Sequence, residues 1–321
     1  MKTMGIGKLY EWVVSLSPYI ELFMRRVYWQ FPTLLKKIGQ GSTSPYIPAN
    51  NRHVNFNDLL GFLKSEGIKN GSLLVVHSSM EPLRCTGLTS NQIIDELIKL
   101  VGSGGTIAMP VIRRYKGEPS YKDILNANID NLVCEYNVKR SLIISGFIPY
   151  SLMCRKDSTV SLFPLNPLCA IGPLANEMMK YNIDGENPSP HGKNSSWRFC
   201  YDHNAIIVGL GVEFPHRLTM MHVFEESEPW PISADKWFRK RIFKIVNDTF
   251  YQEKEILERR PKWGMLHYAE ITFRKDLLSS GVLHEKEIGG INVSVIKSSE
   301  LCEFLKFKRL KHSTYPYYLC K

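Results

Sequence analysis

The sequence predicts an α/β fold, and three stretches carry that expectation. Ser72-Leu73-Leu74-Val75-Val76 reads as a strand that runs directly into the polar residues His77, Ser78 and Ser79. Thr89 through Val101 reads as an amphipathic helix with Ile93, Ile94, Leu97, Ile98 and Leu100 on its buried side, and the strand Thr106–Pro110 follows it. Asn204 through Val212 is a third apolar run, flanked by Asn and Gly, as expected of a strand covered on both faces. In such a fold ligands gather at the carboxyl ends of strands, which is where His77, Ser78 and Ser79 fall.

The bulk properties bound the rest. A chain of 321 residues with 44% hydrophobic residues can bury a large core, as one α/β domain or two smaller ones, and is too apolar for disorder. A formal net charge of +10 points to anionic partners. No zinc-finger spacing or RNA-binding signature accompanies it, so nucleic acid ranks last among them. The cysteines at 85, 134, 154, 169, 200, 302 and 320 form no CxxC pair, which fits reduced thiols and a cytoplasmic location. No stretch reaches the roughly 18 to 20 apolar residues of a spanning helix, and the N-terminus is a poor secretion signal.

Residues 1 to 40 carry six Lys or Arg against two Glu, a net +4, interleaved with Tyr10, Trp12, Tyr19, Phe23, Tyr28, Trp29 and Phe31. Short helices broken at Pro18 and Pro32 can lie in an anionic membrane interface; the alternative is an arm packed on its own domain or on a second copy in a homodimer. The polar linker Gln40–Pro45 separates this arm, 1–45, from the remaining 46–321. Asn57–Lys64 is then a capped amphipathic helix ending near Gly67. Gly102-Ser103-Gly104-Gly105-Thr106 has the wrong order for a phosphate loop, because its glycines close a helix and lead into a strand. A helix C-cap is the better account.

Beyond a polar excursion at 113–135, the chain reads helical from Ser141 to Met153. Ser158–Gly172, with Pro164 and Pro167 beside Asn166, reads as a rigid, non-helical segment of the kind binding loops use, and Asn187–Trp197 reads as another loop. The last hundred residues are mostly polar, with Arg239-Lys240-Arg241 and Lys306–Lys311 as solvated basic faces, and Ile291–Ile296 alternates like a strand.

The strongest chemical signal is Thr219-x-x-His222-x-x-Glu225, read as a helix N-capped by Thr219. On a helix this spacing sets a hydroxyl, an imidazole and a carboxylate roughly along one face. Histidine is the side chain most easily poised as a base near neutral pH, and a carboxylate can orient it. The competing account is a surface His–Glu pair. A metal site is disfavoured because no second such pair occurs.

Taken in order, these pieces resemble the aminoglycoside 3-N-acetyltransferase family. The resemblance rests on His77-Ser78-Ser79, Gly102–Pro110, Ser161–Gly172, Pro190-His191-Gly192-Lys193-Asn194-Ser195 and Thr219–Glu225. It covers about residues 55–230, with a looser tail at 231–321. It implies a three-layer α/β/α mixed sheet, preceded here by the helical arm, and an acyl-CoA-dependent N-acyltransferase. His222 would be the general base for direct transfer, Glu225 would hold its imidazole, and Thr219 or a backbone N–H would stabilise the oxyanion. Acetyl-CoA would meet His77, Ser78, Ser79, Thr106 and Ser161, the acceptor would meet Asn166 and Glu226, and no metal is implied. Two departures bear on cofactor and acceptor contacts: Val160 stands where the family has Arg, and Phe163 where it has His or Asn.

Aminoglycosides are polycations and call for an acidic cleft, whereas a chain at +10 suits phosphate-bearing acceptors. The sequence-level expectation is therefore acylation of a nucleotide- or lipid-linked amino sugar in surface-polysaccharide assembly, at the inner face of the cytoplasmic membrane. Antibiotic acetylation is the runner-up, and a non-catalytic scaffold is the reading from another class.

Overall fold

The computed structural model describes residues 53–119, 128–129, 132–227, 229–248, 250–260 and 267–317, with Trp12, Val13, Leu16, Ser17, Ile20, Glu21, Phe23 and Met24. The expected arm falls largely outside the described residues, and the linker at 40–45 wholly so. Helix α1 (Phe56–Ser65) opens where the Asn55 side chain accepts from Asn57 N, and it buries Phe56, Leu59, Leu60 and Leu63 at helical spacing. Strand β1 (Leu73–Ser78) follows, then the short α2 (Met80–Leu83). Helix α3 (Ser90–Val101) begins in a capping box between Thr89 and Gln92. It ends at Gly102, whose φ of 64° and N–H bond to Ile98 O make it the expected C-cap. Strand β2 (Thr106–Pro110) is buried along its whole length.

The expected helix at 141–153 is only half present. Strand β3 (Arg113–Arg114) is followed by β4 (Val133–Asn137), and β5 (Leu142–Ile143) pairs with β3. The Arg113 guanidinium donates to Ser141 O and Val138 O, so this backbone is held extended. Gly146, at φ 103°, then turns the chain into α4 (Phe147–Met153). The segment read as a binding loop contains β6 (Thr159–Val160) and β7 (Leu168–Ile171), followed by α5 (Ala175–Met179). Ser195 caps α6 (Ser196–Asp202), which leads to β8 (Ile206–Leu210).

Helix α7 (Met221–Ser227) starts one residue later than a Thr219 cap requires. Leu218 and Met220 are both buried, and residues two apart on a helix would face opposite ways, so the chain passes through turns there instead. Beyond it lie α8 (Ala234–Trp237) and the long hairpin of β9 (Phe238–Asn247) and β10 (Phe250–Arg259). The Arg239-Lys240-Arg241 run, read as a solvated face, is on β9. The two-residue period of a strand turns Arg239 and Arg241 inward and leaves Lys240 exposed. Arg241 is held at 2.9 Å by both Glu258 and Glu118, and Arg239 also pairs with Glu258. The chain closes with α9 (His267–Ser279), β11 (His284–Ile288), β12 (Ile291–Lys297) and α10 (Ser298–Lys311).

The seven-stranded sheet has the order β11-β12-β8-β1-β2-β7-β6. Strands β8, β1 and β2 are parallel, and the flanking pairs are antiparallel. Alternate residues enter separate cores, which is what makes the fold a three-layer α/β/α sandwich of mixed sheet. Leu73, Val75 and Ile207 pack on α5, α6, α7, α9 and α10. Leu74, Val76 and Val208 pack on α1, α3 and α4. A second sheet, β10-β9-β4, has its own core of Tyr136, Phe163, Phe243, Ile245 and Ile256. Phe163, a departure from the family pattern, thus serves packing here.

Candidate active site

Because β8, β1 and β2 are parallel, their carboxyl ends share one edge of the sheet. His77 leaves β1 on the same face as Leu73 and Val75, toward α6 and α7, and Ser78 leaves on the other. The His77 ring is buried, stacked on Trp197 at 6.0 Å and edge-on to Phe214 at 5.7 Å. Trp197 in turn lies 5.9 Å from His191, and His191 lies 5.2 Å from His222. A line of four rings therefore runs from the end of β1 to α7.

The first turns of α7 hold two His–Glu pairs back to back. His222 Nδ1 is 2.8 Å from Glu225 Oε2, and His191 Nδ1 is 2.7 Å from Glu226 Oε1. Glu226 also accepts from the His191 backbone N at 2.8 Å. On its far side His191 Nε2 is 3.2 Å from Asn166 Nδ2, and the Asn166 carbonyl accepts from Trp197 Nε1 at 2.8 Å. An Asn166 amide donating to Nε2 leaves the Nδ1–H of His191 to face Glu226. His222 differs because its Nε2 makes no hydrogen bond among the described residues. It lines a cleft of about 100 Å³ with Arg217, Thr219, Arg259 and Tyr317 on the walls. A lone pair with no partner, facing open space, is what a general base needs.

Arg259, the last residue of β10, reaches across to this pair. Its Nη1 is 2.9 Å from His222 Nδ1, 3.3 Å from Glu225 Oε2 and 3.0 Å from the Tyr317 hydroxyl. Burial and the Arg259 cation both disfavour imidazolium and lower the His222 pKa to about 4, against the pull of Glu225. The imidazole is therefore neutral at pH 7. Burial alone would raise the Glu225 carboxyl, but His222 and Arg259 outweigh it and the net shift is downward. Glu226 is lowered in the same way by His191. His77 falls to about 3 through burial and then the Arg217 charge.

The other expected contacts are less uniform. Thr219 lies in the turn before α7, lines the cleft, and its carbonyl accepts from His222 N. Ser79 sits at the N-cap position of α2 without a side-chain cap bond. Thr106 stands apart from the others. It pairs with Leu73 at the amino ends of the parallel strands, the edge opposite His77, and its hydroxyl accepts from Leu174 N. Ser161 is fully buried, with its hydroxyl engaged by Asn182 at 2.5 Å and Phe163 N at 3.0 Å, so internal packing accounts for it. Asn166 and Glu226, expected at the acceptor, both bond His191 and are not among the residues lining the cleft. Among the described residues no cluster of three or more His, Cys, Asp or Glu could hold a metal.

Three members of the site escaped the sequence reading. His191 was visible only as part of a loop motif. Arg259 ended a stretch read as polar surface, and Tyr317 lies beyond any motif. The family model for aminoglycoside 3-N-acetyltransferase matches residues 75–308. A solved structure of AAC-IIIb in binary complex with CoASH is similar, with a TM-score of 0.65 and 19% identity over 80% of this chain and 97% of that one. A mutant of AAC(3)-IVa in complex with a gentamicin gives 0.61 and 18%, covering 81% and 90%. AAC-VIa bound to sisomicin gives 0.63 and 16%, covering 81% and 99%. At these identities the likeness is one of fold. No curated protein matches the chain.

Proposed function

The chain belongs to the aminoglycoside 3-N-acetyltransferase family, and from that membership we propose that it transfers an acetyl group from acetyl-CoA to the amine of a small amino-sugar acceptor. The observation that carries this reading is His222, neutral, oriented through Nδ1 by Glu225, with Nε2 open to a cleft. The acceptor amine must lose a proton as it forms the new C–N bond. Nε2 takes that proton, and the resulting imidazolium is stabilised by Glu225. The same Nε2–H then returns the proton to the departing sulfur, so the enzyme ends as it began. Thr219, on the cleft wall, is the side chain placed to donate to the oxygen on which charge develops.

Acetyl-CoA supplies the activated acyl thioester. The residues present fit a polar ligand across the end of β1. His77 Nε2 and Ser78 Oγ are buried there with no hydrogen-bond partner among the described residues. Orphaned groups of this kind cost about 1–3 kcal/mol each unless a ligand meets them.

Of the acceptors weighed, aminoglycosides have the better support, because similar folds are those of enzymes complexed with a gentamicin and with sisomicin. The surface-polysaccharide role gains nothing from the comparisons. Docking of residues 1–40 on an anionic membrane stands on the sequence alone, as does the 45/46 boundary between arm and enzyme. No described helix is long and apolar enough to cross a membrane. The test is release of CoASH from acetyl-CoA with sisomicin, glucosamine and amino-sugar phosphates, with the +42 Da product (the mass of one added acetyl group) identified by mass spectrometry. Failure to exceed the His222→Gln background on every amine would sink the reading.

A further inference from the structure

His222 Nδ1 lies between two groups with opposite demands. Glu225 Oε2, at 2.8 Å, can only accept, and Arg259 Nη1, at 2.9 Å, can only donate. A neutral ring has one proton and cannot satisfy both. With that proton on Nδ1, Glu225 receives it and Nε2 keeps its lone pair in the cleft. With Nη1 donating to Nδ1, the ring proton moves to Nε2 and the base is lost. Nη1 therefore needs other acceptors, and two stand beside it: Glu225 Oε2 at 3.3 Å and the Tyr317 hydroxyl at 3.0 Å. A guanidinium Nη carries two hydrogens, so these two oxygens can take both and leave none for Nδ1.

Tyr317 is built into this position. It follows α10 in a segment fixed by Tyr315, whose hydroxyl donates to Asp276 Oδ2 at 2.9 Å and whose ring meets Phe273 of α9 and Phe304 of α10 edge-on. The Tyr317 ring is buried edge-on to Trp237 at 5.7 Å and to Trp230 at 6.2 Å. Burial, and then the Glu225 carboxylate, raise its pKa well above the usual value, so the phenol stays neutral and can accept from Arg259. We infer that Tyr317 is a positioning residue: its hydroxyl takes one Nη1 hydrogen of Arg259, so that the guanidinium does not donate to His222 Nδ1 and the imidazole keeps its proton there. The inference deepens the acyl-transfer reading and rests on it for the effect on rate, whereas the tautomer is set with no acceptor present.

The test reads the tautomer directly. The full chain is labelled with ¹⁵N in its histidines, His222 is assigned with His222→Asn, and the imidazole nitrogen shifts distinguish Nδ1–H from Nε2–H. Wild type should show Nδ1–H and Tyr317→Phe should show Nε2–H. Phenylalanine keeps the ring against Trp230 and Trp237, so the fold is retained. Tyr317→Phe combined with Arg259→Met should return to Nδ1–H, because no donor remains beside that nitrogen. In turnover of sisomicin, Y317F should lower kcat about 10- to 100-fold, the worth of one hydrogen bond to a charged group. KM for acetyl-CoA and for sisomicin should stay within about twofold, and the double variant should be faster than Y317F alone. Wild type on Nε2–H overturns the proposal, as does Y317F that stays on Nδ1–H whatever its rate. So does a Y317F tautomer that R259M fails to reverse. Tautomers that move as stated, with no acetylation of any amine, would support the role of Tyr317 and refute the acyl-transfer reading.

Discussion

Arg259→Met should raise the pKa of His222. The cation sits 2.9 Å from Nδ1 and disfavours a second positive charge, so its removal favours imidazolium and moves the midpoint upward. Two unit charges about 4 Å apart at an effective dielectric near 20 interact by about 4 kcal/mol, an upper bound of about 3 pKa units. The depression runs from 6.5 to about 4 and burial is its larger cause, so the share of Arg259 is smaller than that bound. Glu225 remains in the variant and pulls upward. The expected midpoint is about 5 to 6.5. Methionine keeps much of the apolar contact of the side chain, which lies 5.7 Å over the Trp237 ring. NMR titration of the His222 Cε1–H between pH 4 and 7.5, assigned with His222→Asn, reads the midpoint without any acceptor. A wild-type midpoint at or above 6.5, or no movement in R259M, would refute the electrostatic account. The same shift has a stability sign. A histidine whose folded pKa lies below its unfolded value binds fewer protons when folded, so stability is lost as pH falls from about 6.5 toward 4. The lowered carboxyls of Glu225 and Glu226 lose stability in the same direction at lower pH.

His222→Gln should cost roughly 10²- to 10⁴-fold in kcat while CoASH affinity, by calorimetry, stays within about threefold; a variant near wild-type rate would remove His222 from the mechanism. Glu226→Gln puts an amide donor against one of two N–H donors from His191 and should destabilise by about 1–3 kcal/mol in urea titration. An unchanged urea midpoint would mean that Glu226 does not anchor that loop. Gly172→Ala would set a Cβ 2.4 Å from Gly105 O at a φ of +126°, where only backbone movement can relieve it. Expression should fall and the melting temperature drop; a melting temperature equal to wild type would show that the approach is not tight.

Much of the central sheet was legible because its signals are local. A run such as Leu73–Val76, buried on both faces, and the cap pairs Asn55/Asn57 and Thr89/Gln92 need only neighbours in sequence to be read. The β9–β10 hairpin was not legible, because buried arginines make an inward-facing strand look like a charge run. Arg241 can be buried only because Glu118, distant in the chain, and Glu258 meet it there. The 141–153 segment failed for a similar reason. Its backbone is held by Arg113, whose position no pattern at 141 could reveal. Strand direction sets Thr106 apart, since a residue at the start of a parallel strand lies on the edge opposite His77.

The site divides along the same line. Spacing three apart on α7 predicted the His222–Glu225 pair, because a helix turn alone brings those groups together. Nothing local could predict what Glu226 does. Neighbouring residues on a helix point about 100° apart, so two consecutive glutamates must serve different partners, and the second partner comes from a loop near residue 191. The consequence is functional. His191 is satisfied on both ring nitrogens and enclosed, whereas His222 is satisfied on one and open on the other. The two imidazoles lie 5.2 Å apart in the same buried layer, yet only one keeps a lone pair free for a proton. What separates a structural histidine from a candidate base in this protein is therefore the partner of its second nitrogen, which the tertiary fold supplies to one and withholds from the other.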